Sequence, residues 1–400
     1  MTVAYLSQPG VLCALGQGPS AVAAGLLAGD VQGLISQSGW VPTGPLTLGH
    51  VPGAIATLGT DIPPGTRSRN NALLLTAARQ IEPLLRTTIA RYGAHRVAVI
   101  LGTSTSGVTD NIDAFRFRVQ HADWPQDYDY RRQTLSSPAT FLAHWLGTTG
   151  PAYTISTACT SSARALLSAQ RLLDMDVCDA VVCGGADTLC SLTINGFASL
   201  DALDKQPCNP FSANRAGINI GEAAALFLMS REALDTSRIA LLGGGASSDA
   251  WHMSAPDPTG AGAQAAIRAA LAASGITPAD VGWVNLHGTG TQHNDAMESH
   301  AVHDVFSSDV VCTSTKSLTG HTLGAAGALE AALCWLALSH FNPDGYLPVH
   351  RWDGAVDSTL PALTFSDGTQ QFDSSTRRIA LSNSFAFGGN NASLIIGQHP

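Results

Sequence analysis

Charged side chains are scarce in this chain. They make up 13% of its 400 residues against 45% apolar ones, and lysine occurs only as Lys205 and Lys316. Such a balance predicts a large buried interior and a buried subunit interface. No arginine or lysine precedes Arg67. A secretory leader starts with positive charge, so the N-terminus is expected to be that of the mature chain. The formal net charge of −9 excludes a general nucleic-acid binder, which needs a basic surface. No apolar run approaches the ~20 residues of a membrane-spanning helix. None of the eight cysteines forms a CxxC pair. Spread through apolar segments, they fit small buried side chains in a reducing compartment, so the expected location is the cytoplasm.

What is present is an alternation of strand-like and helix-like runs. HRVAVILGTST predicts a buried strand and a small-residue turn, PAYTISTAC a strand, and SSARALLSAQRLLDMD the helix after it. AVVCGGAD, VGWVNLHGTGT and DVVCTSTK are further strands, the last two running into turns, and RRIALSNSFAFGGNNASLIIGQ predicts a hairpin. SLTGHTLGAAGALEAALCWLALSH predicts one long apolar helix. The pattern implies layered α/β architecture. Two similar halves are expected, 1–240 and 241–400, because TISTACTSSARAL and CTSTKSLTGHTLGAAGAL both run strand, tight turn, small-residue helix. The Gly- and Pro-rich stretch 35–66 and the segment QHADWPQDYDYRRQTLSSP predict loops.

Cys159 stands between an extended run and a helix start. Unpaired N–H groups and the helix dipole favour thiolate there, although a buried structural cysteine fits the same place. His287 follows a buried strand and precedes glycines and threonines that permit close backbone approach. His321 lies among Gly320, Gly324 and Gly327, which share one face of the predicted helix. Either histidine could equally be a satisfied core residue. Lys316 is buried and paired or solvated at a helix end, with Glu298 and Asp295 as candidate partners. The NSFAFGGNN turn around Phe387 can present an N–H to an oxyanion, or be an ordinary hairpin. A zinc site from His293, His300 and His303 has irregular spacing and no cysteine pair, so no metal is expected.

Taken together and in this order, TACTSS, HGTGT with a following ND and E, KSLTGHTLGAAG and NSFAFGGN resemble the elongating β-ketoacyl-acyl-carrier-protein synthases of the thiolase superfamily. NPFSANRAGINIGEAAALFL and SSDAWHMSAP extend the likeness over nearly the whole chain, and GTSTSG looks like synthases of aryl-polyene clusters. The resemblance implies a thiolase-like five-layer αβαβα fold with two pseudo-duplicated halves. It implies acyltransfer: Cys159 takes an acyl group, which condenses with malonyl-acyl carrier protein in fatty-acid, polyene or polyketide biosynthesis. His287 and His321 match the two active-site histidines, and Lys316 the lysine paired with the glutamate matching Glu298. Phe387 matches the gating phenylalanine whose N–H joins that of Cys159 in the oxyanion hole. Thr289 and Thr291 match positions contacting the phosphopantetheine arm, and Asn390 falls in the glycine-rich motif after the gate.

No cofactor is implied, since phosphopantetheine arrives on the carrier protein. The resemblance implies a homodimer, or a heterodimer with a chain-length-factor-like chain on which activity would depend. A silent partner subunit would lack the nucleophile that Cys159 supplies. Degradative thiolases would carry a second cysteine in the C-terminal turn, where neither Cys312 nor Cys334 lies. Ala386 stands where the family pattern has glycine, and Ser212 and Ala216 where it often has aspartate. An acidic carrier needs local positive charge. Arg67, Arg69, Arg131 and Arg132 are the docking candidates, with Arg116, Arg118 and Lys205 as alternatives.

Overall fold

The computed structural model describes residues 3–233, 236 and 238–399. The strands Val97–Gly102, Ala180–Asp187 and Ala223–Ser230 are buried at every position. Continuous burial, rather than alternation, is the mark of strands covered on both faces.

The two halves repeat one topology. In the first, the spatial order is Ala152–Ile155, Val97–Gly102, Ala180–Asp187, Ala223–Ser230, Gly10–Cys13. Successive pairs run parallel, parallel, antiparallel, antiparallel. In the second, Val311–Thr313, Trp283–Asn285, Ile379–Ala386, Asn390–Gln398 and Ile239–Ser248 lie side by side with the same four senses. The short strand Ala4–Leu6 bridges the halves, pairing with both Ala223–Ser230 and Ile239–Ser248.

Helices Ser161–Asp174 and Ala326–Leu338 follow equivalent strands and pack together in the middle layer. Every residue of the second is buried, as expected of a helix that is apolar all round. Gly327 makes the contact possible, since a Cβ there would sit 2.6 Å from the Ala163 Cβ. Outer layers are formed by Arg69–Gln80 with Ser137–Leu146 on one side, and by Ala261–Ser274 with Gln292–Phe306 on the other. The result is the thiolase-like αβαβα arrangement. No helix among the described residues is long and apolar enough to cross a membrane.

Two local expectations need correction. Residues 35–66 are not all loop: Leu34–Val41 and Gly44–Gly49 pair as an antiparallel hairpin. The stretch 317–340 is not one helix either. A turn of helix at Lys316–Thr319 ends at Gly320 (φ 69°), Leu323 takes φ 51°, and the long helix starts only at Ala326. The three glycines therefore share no helical face. His321 lies in the break they help create.

Candidate active site

The turn before Cys159 is shaped by its own small residues. Ala158 takes φ 52°. The Ser161 hydroxyl donates to Ala158 O (2.5 Å) and accepts from Thr157 N–H (2.9 Å). The helix start can lie against strand Val97–Gly102 because Gly102 lacks a side chain; a Cβ would fall 2.3 Å from Ser162 N. From the other half come both histidines. The Glu298 carboxylate accepts the backbone N–H groups of His287 and Gly288, each at 2.7 Å, and Asn383 Nδ2 at 3.2 Å. Asp295 accepts from Phe211 N–H at 2.7 Å and Gly290 N–H at 3.2 Å. These buried carboxylates shape the turn that carries His287.

The three side chains converge. His321 Nε2 lies 3.0 Å from Cys159 Sγ, and the two imidazoles meet edge to face at 5.3 Å. Burial pushes the Cys159 thiol up to about 12, with the Lys316 ammonium drawing it down. Burial and then Lys316 hold His287 and His321 well below their ordinary range. Burial therefore favours the thiol form of Cys159 and the neutral form of both imidazoles. Desolvation thus acts against the helix start, whose N–H groups and dipole favour thiolate.

Lys316 is buried as one of the two alternatives required, but its partner is Glu330, not Glu298. The two come from opposite sides of the helix break, while Glu298 is occupied by backbone N–H groups. Glu330 was missed although the sequence held the signal: a lone acid inside GALEAAL must be paired if that helix is buried.

A cavity of about 380 Å³ leads to this cluster, lined by Thr289, Thr291, His293, Phe385, Phe387 and Asn391 among others. Phe387 is 38% exposed and its ring packs on Phe197 at 5.4 Å. Asn390 does not line the cavity. Alternation along its strand gives that place to Asn391, whose Nδ2 donates to Asp249 Oδ1 at 2.6 Å. His293, His300 and His303 form no metal-ligand group among the described residues.

None of the four arginines expected to dock a carrier lines the cavity, and two are ion-paired elsewhere. Arg69 grips buried Glu222 through Nε (3.1 Å) and Nη2 (2.6 Å), and Arg131 grips Asp129. Arg67 donates to the carbonyls of Ile62 and Thr60, and Arg132 to that of Pro64, with no carboxylate ion pair among the described residues. Of the alternatives, Arg116 pairs with Asp113.

Family models for the β-ketoacyl synthase N-terminal and C-terminal domains match residues 70–234 and 239–343. The chain also superimposes over its whole length on a ketosynthase, solved in complex with its chain length factor, from Xenorhabdus doucetiae (TM-score 0.92, 47% identity, 98% of that chain). It belongs to the β-ketoacyl synthase family. The ishigamide ketosynthase/chain length factor is similar at 27% identity over the whole of both chains, with a TM-score of 0.85. Among curated relatives, the chloroplastic 3-oxoacyl-[acyl-carrier-protein] synthase II of Arabidopsis thaliana is 30% identical over 78% of this chain and 59% of its own length. Nodulation protein E of Rhizobium meliloti is 33% identical over 66% of each. The chain spans about three fifths of the first of these relatives.

Proposed function

We propose that the chain is a 3-oxoacyl-acyl-carrier-protein synthase working by decarboxylative Claisen condensation. The observation that carries this reading is the Cys159–His321 contact, with His287 beside it, at the end of the cavity. In the first half-reaction, Cys159 sulfur attacks the carrier-bound acyl thioester and its proton passes to His321 Nε2. The new C–S bond replaces the old one, and the pantetheine thiolate leaves with that proton. The N–H groups of Cys159 and Phe387 hold the tetrahedral oxyanion. In the second, the malonyl C–C bond breaks and CO2 leaves. His287 and His321 donate to the enolate oxygen, and the carbanion forms the new C–C bond as the C–S bond to Cys159 breaks; the released Cys159 thiolate takes up one proton from solvent, which restores the thiol. Among the described residues, neither imidazole Nδ1 has a hydrogen-bond partner. No group among the described residues fixes the tautomers from behind, which lets His321 Nε2 accept a proton in one half-reaction and donate in the other.

Phosphopantetheine arrives on the carrier, Thr289 and Thr291 contact its arm, and no metal or redox cofactor takes part. Assembly with a chain-length-factor-like partner is favoured over a homodimer, given the 47% identity to a ketosynthase solved with such a partner. The half-exposed edge strand Ala152–Ile155, paired on one side only, offers a seam in the nucleophile half. We place the enzyme in polyene-type biosynthesis in the cytoplasm, where eight unbridged cysteines stay reduced. Incubation with acyl-carrier proteins, with and without a co-expressed chain-length-factor-like chain, followed by peptide mapping, tests the reading. Acyl mass on Cys159 and 3-oxoacyl product support it, and acylation of Cys183 or Cys312 instead overturns it.

A further inference from the structure

His321 has an unusual support. Lying in a helix break, it lacks the hydrogen bonds of a helix. Its N–H donates to Asn219 O at 2.6 Å, and its carbonyl accepts from Gly221 N–H at 2.9 Å. Its backbone is thus an added strand on the extended segment 218–221, and the aim of its ring depends on where that segment lies. Asn219 is 1% exposed. Its Oδ1 accepts Cys208 N–H at 2.7 Å, while Nδ2 donates to Asp204 O (3.1 Å) and Gln206 O (2.8 Å). Every amide atom is matched in polarity, and flipping the amide would set oxygen against two carbonyls. The loop held in this way runs beneath the other histidine's turn. A Cβ on Gly290 would lie 2.7 Å from Gly217 O and 3.4 Å from the Cys208 side chain.

We infer that Asn219 is a positioning residue for the reaction proposed above: it locks segment 218–221 between the 204–208 loop and His321, and so sets the Cys159–His321 contact. It lies outside the cavity lining, where its neighbour Ile218 stands. The inference rests on the proposed function for its consequence in turnover, but the contact itself can be probed without substrate.

Two variants test it. Asn219→Leu keeps the branched shape and heavy-atom count and removes all three bonds. Asn219→Asp keeps the acceptor for Cys208 N–H and opposes a carboxylate to two carbonyls, a conflict relieved when it is protonated. Charged or titratable groups near this position are Asp204, Asp295, Lys316, His321 and Cys208 itself. In a folded Asn219→Leu protein, confirmed by a cooperative thermal transition, kcat for condensation should fall by about 100-fold with KM for malonyl carrier little changed. Iodoacetamide alkylation of Cys159 should slow as well. Asn219→Asp should show the same loss at about pH 8 and regain about tenfold relative to wild type at about pH 6. If Asn219→Leu does not fold, the Asn219→Asp profile decides. Wild-type rates in the folded variant, or an acid-insensitive loss in Asn219→Asp, overturn the inference. Should the wild type neither acylate nor condense, the functional reading has failed, and alkylation alone judges the role of Asn219.

Discussion

His321 Nε2 sits 3.0 Å from Cys159 Sγ, and burial disfavours the charged form of both groups. A standing thiolate–imidazolium pair would titrate with the imidazole. A thiol activated only during attack would not, because His321 stays neutral down to well below 6.5. Iodoacetamide alkylation of Cys159 should therefore rise smoothly with pH and show no inflection near 6.5. His321→Ala should slow it and should also impair malonyl decarboxylation by ~100-fold, the usual cost of losing an oxyanion donor. Peptide-mapped alkylation rates across pH check the first expectation, and CO2 release checks the second.

The Lys316–Glu330 pair makes a separate prediction. Both side chains are 2–3% exposed, so removing either leaves a charge stranded in the interior. Lys316→Ala or Glu330→Ala alone should cost about 3–5 kcal/mol, and the double variant clearly less than their sum. Lys316 also lowers the pKa of His287 and of His321. Without it, imidazolium forms at higher pH, and the acid limb of condensation should move upward. Urea unfolding of the four proteins and a pH–rate profile measure these effects. Borohydride trapping of substrate on Lys316 would instead make it a nucleophile.

Much of this arrangement was legible in the sequence because local pattern and global fold agree there. Buried runs such as VAVILG and AVVCGGAD became strands covered on both faces, and the NSFAFGGNN turn became the expected hairpin. What escaped was decided by tertiary contact. The 317–340 helix breaks because Gly320 and Leu323 adopt positive φ, and the edge-bound His321 finds its hydrogen bonds on segment 219–221. Composition alone cannot foresee such a partner. Likewise, Glu298 and Glu330 are both buried acids near Lys316 in sequence, and only the packing assigns backbone N–H groups to one and the ammonium to the other. The arginines of GTRSRN and YDYRRQ looked alike in polar stretches, yet Arg69 turns toward Glu222 while Arg67 turns toward carbonyls.

His350 should make the fold acid-sensitive. Its Nδ1 accepts Ser314 N–H at 3.1 Å, which requires that nitrogen to be unprotonated, and Nε2 lies 3.1 Å from Pro210 O. Burial lowers it from 6.5 to about 4. Since the folded value is the lower one, the unfolded chain takes up the proton first. Stability attributable to this group is intact above pH 6.5 and falls as the pH drops toward 4, by about 3 kcal/mol in all. His350→Gln can keep both hydrogen bonds and cannot titrate, so its melting temperature should fall less than that of wild type over this window. Parallel slopes for the two proteins would contradict the assignment.

Under the proposed function, Arg67 and Arg132 are the stronger of the four candidates for carrier docking. Arg69 and Arg131 already neutralise Glu222 and Asp129, and reversing Arg69 would strand the buried Glu222 carboxylate. Arg67 and Arg132 instead donate to loop carbonyls, and neither forms a carboxylate ion pair among the described residues, although Asp110 and Asp129 lie within electrostatic range of Arg132. With a net charge of −9, the enzyme repels an acidic carrier at long range, and only focused positive charge can offset that. Arg67→Glu with Arg132→Glu should therefore raise KM for acyl carrier by about tenfold at low salt, while added salt erodes the wild-type advantage. A small pantetheine thioester, which needs no docking surface, should acylate Cys159 at the same rate in both proteins. Equal losses with carrier and small thioester would place the defect in the site itself, and an unchanged carrier KM would remove these arginines from the docking surface.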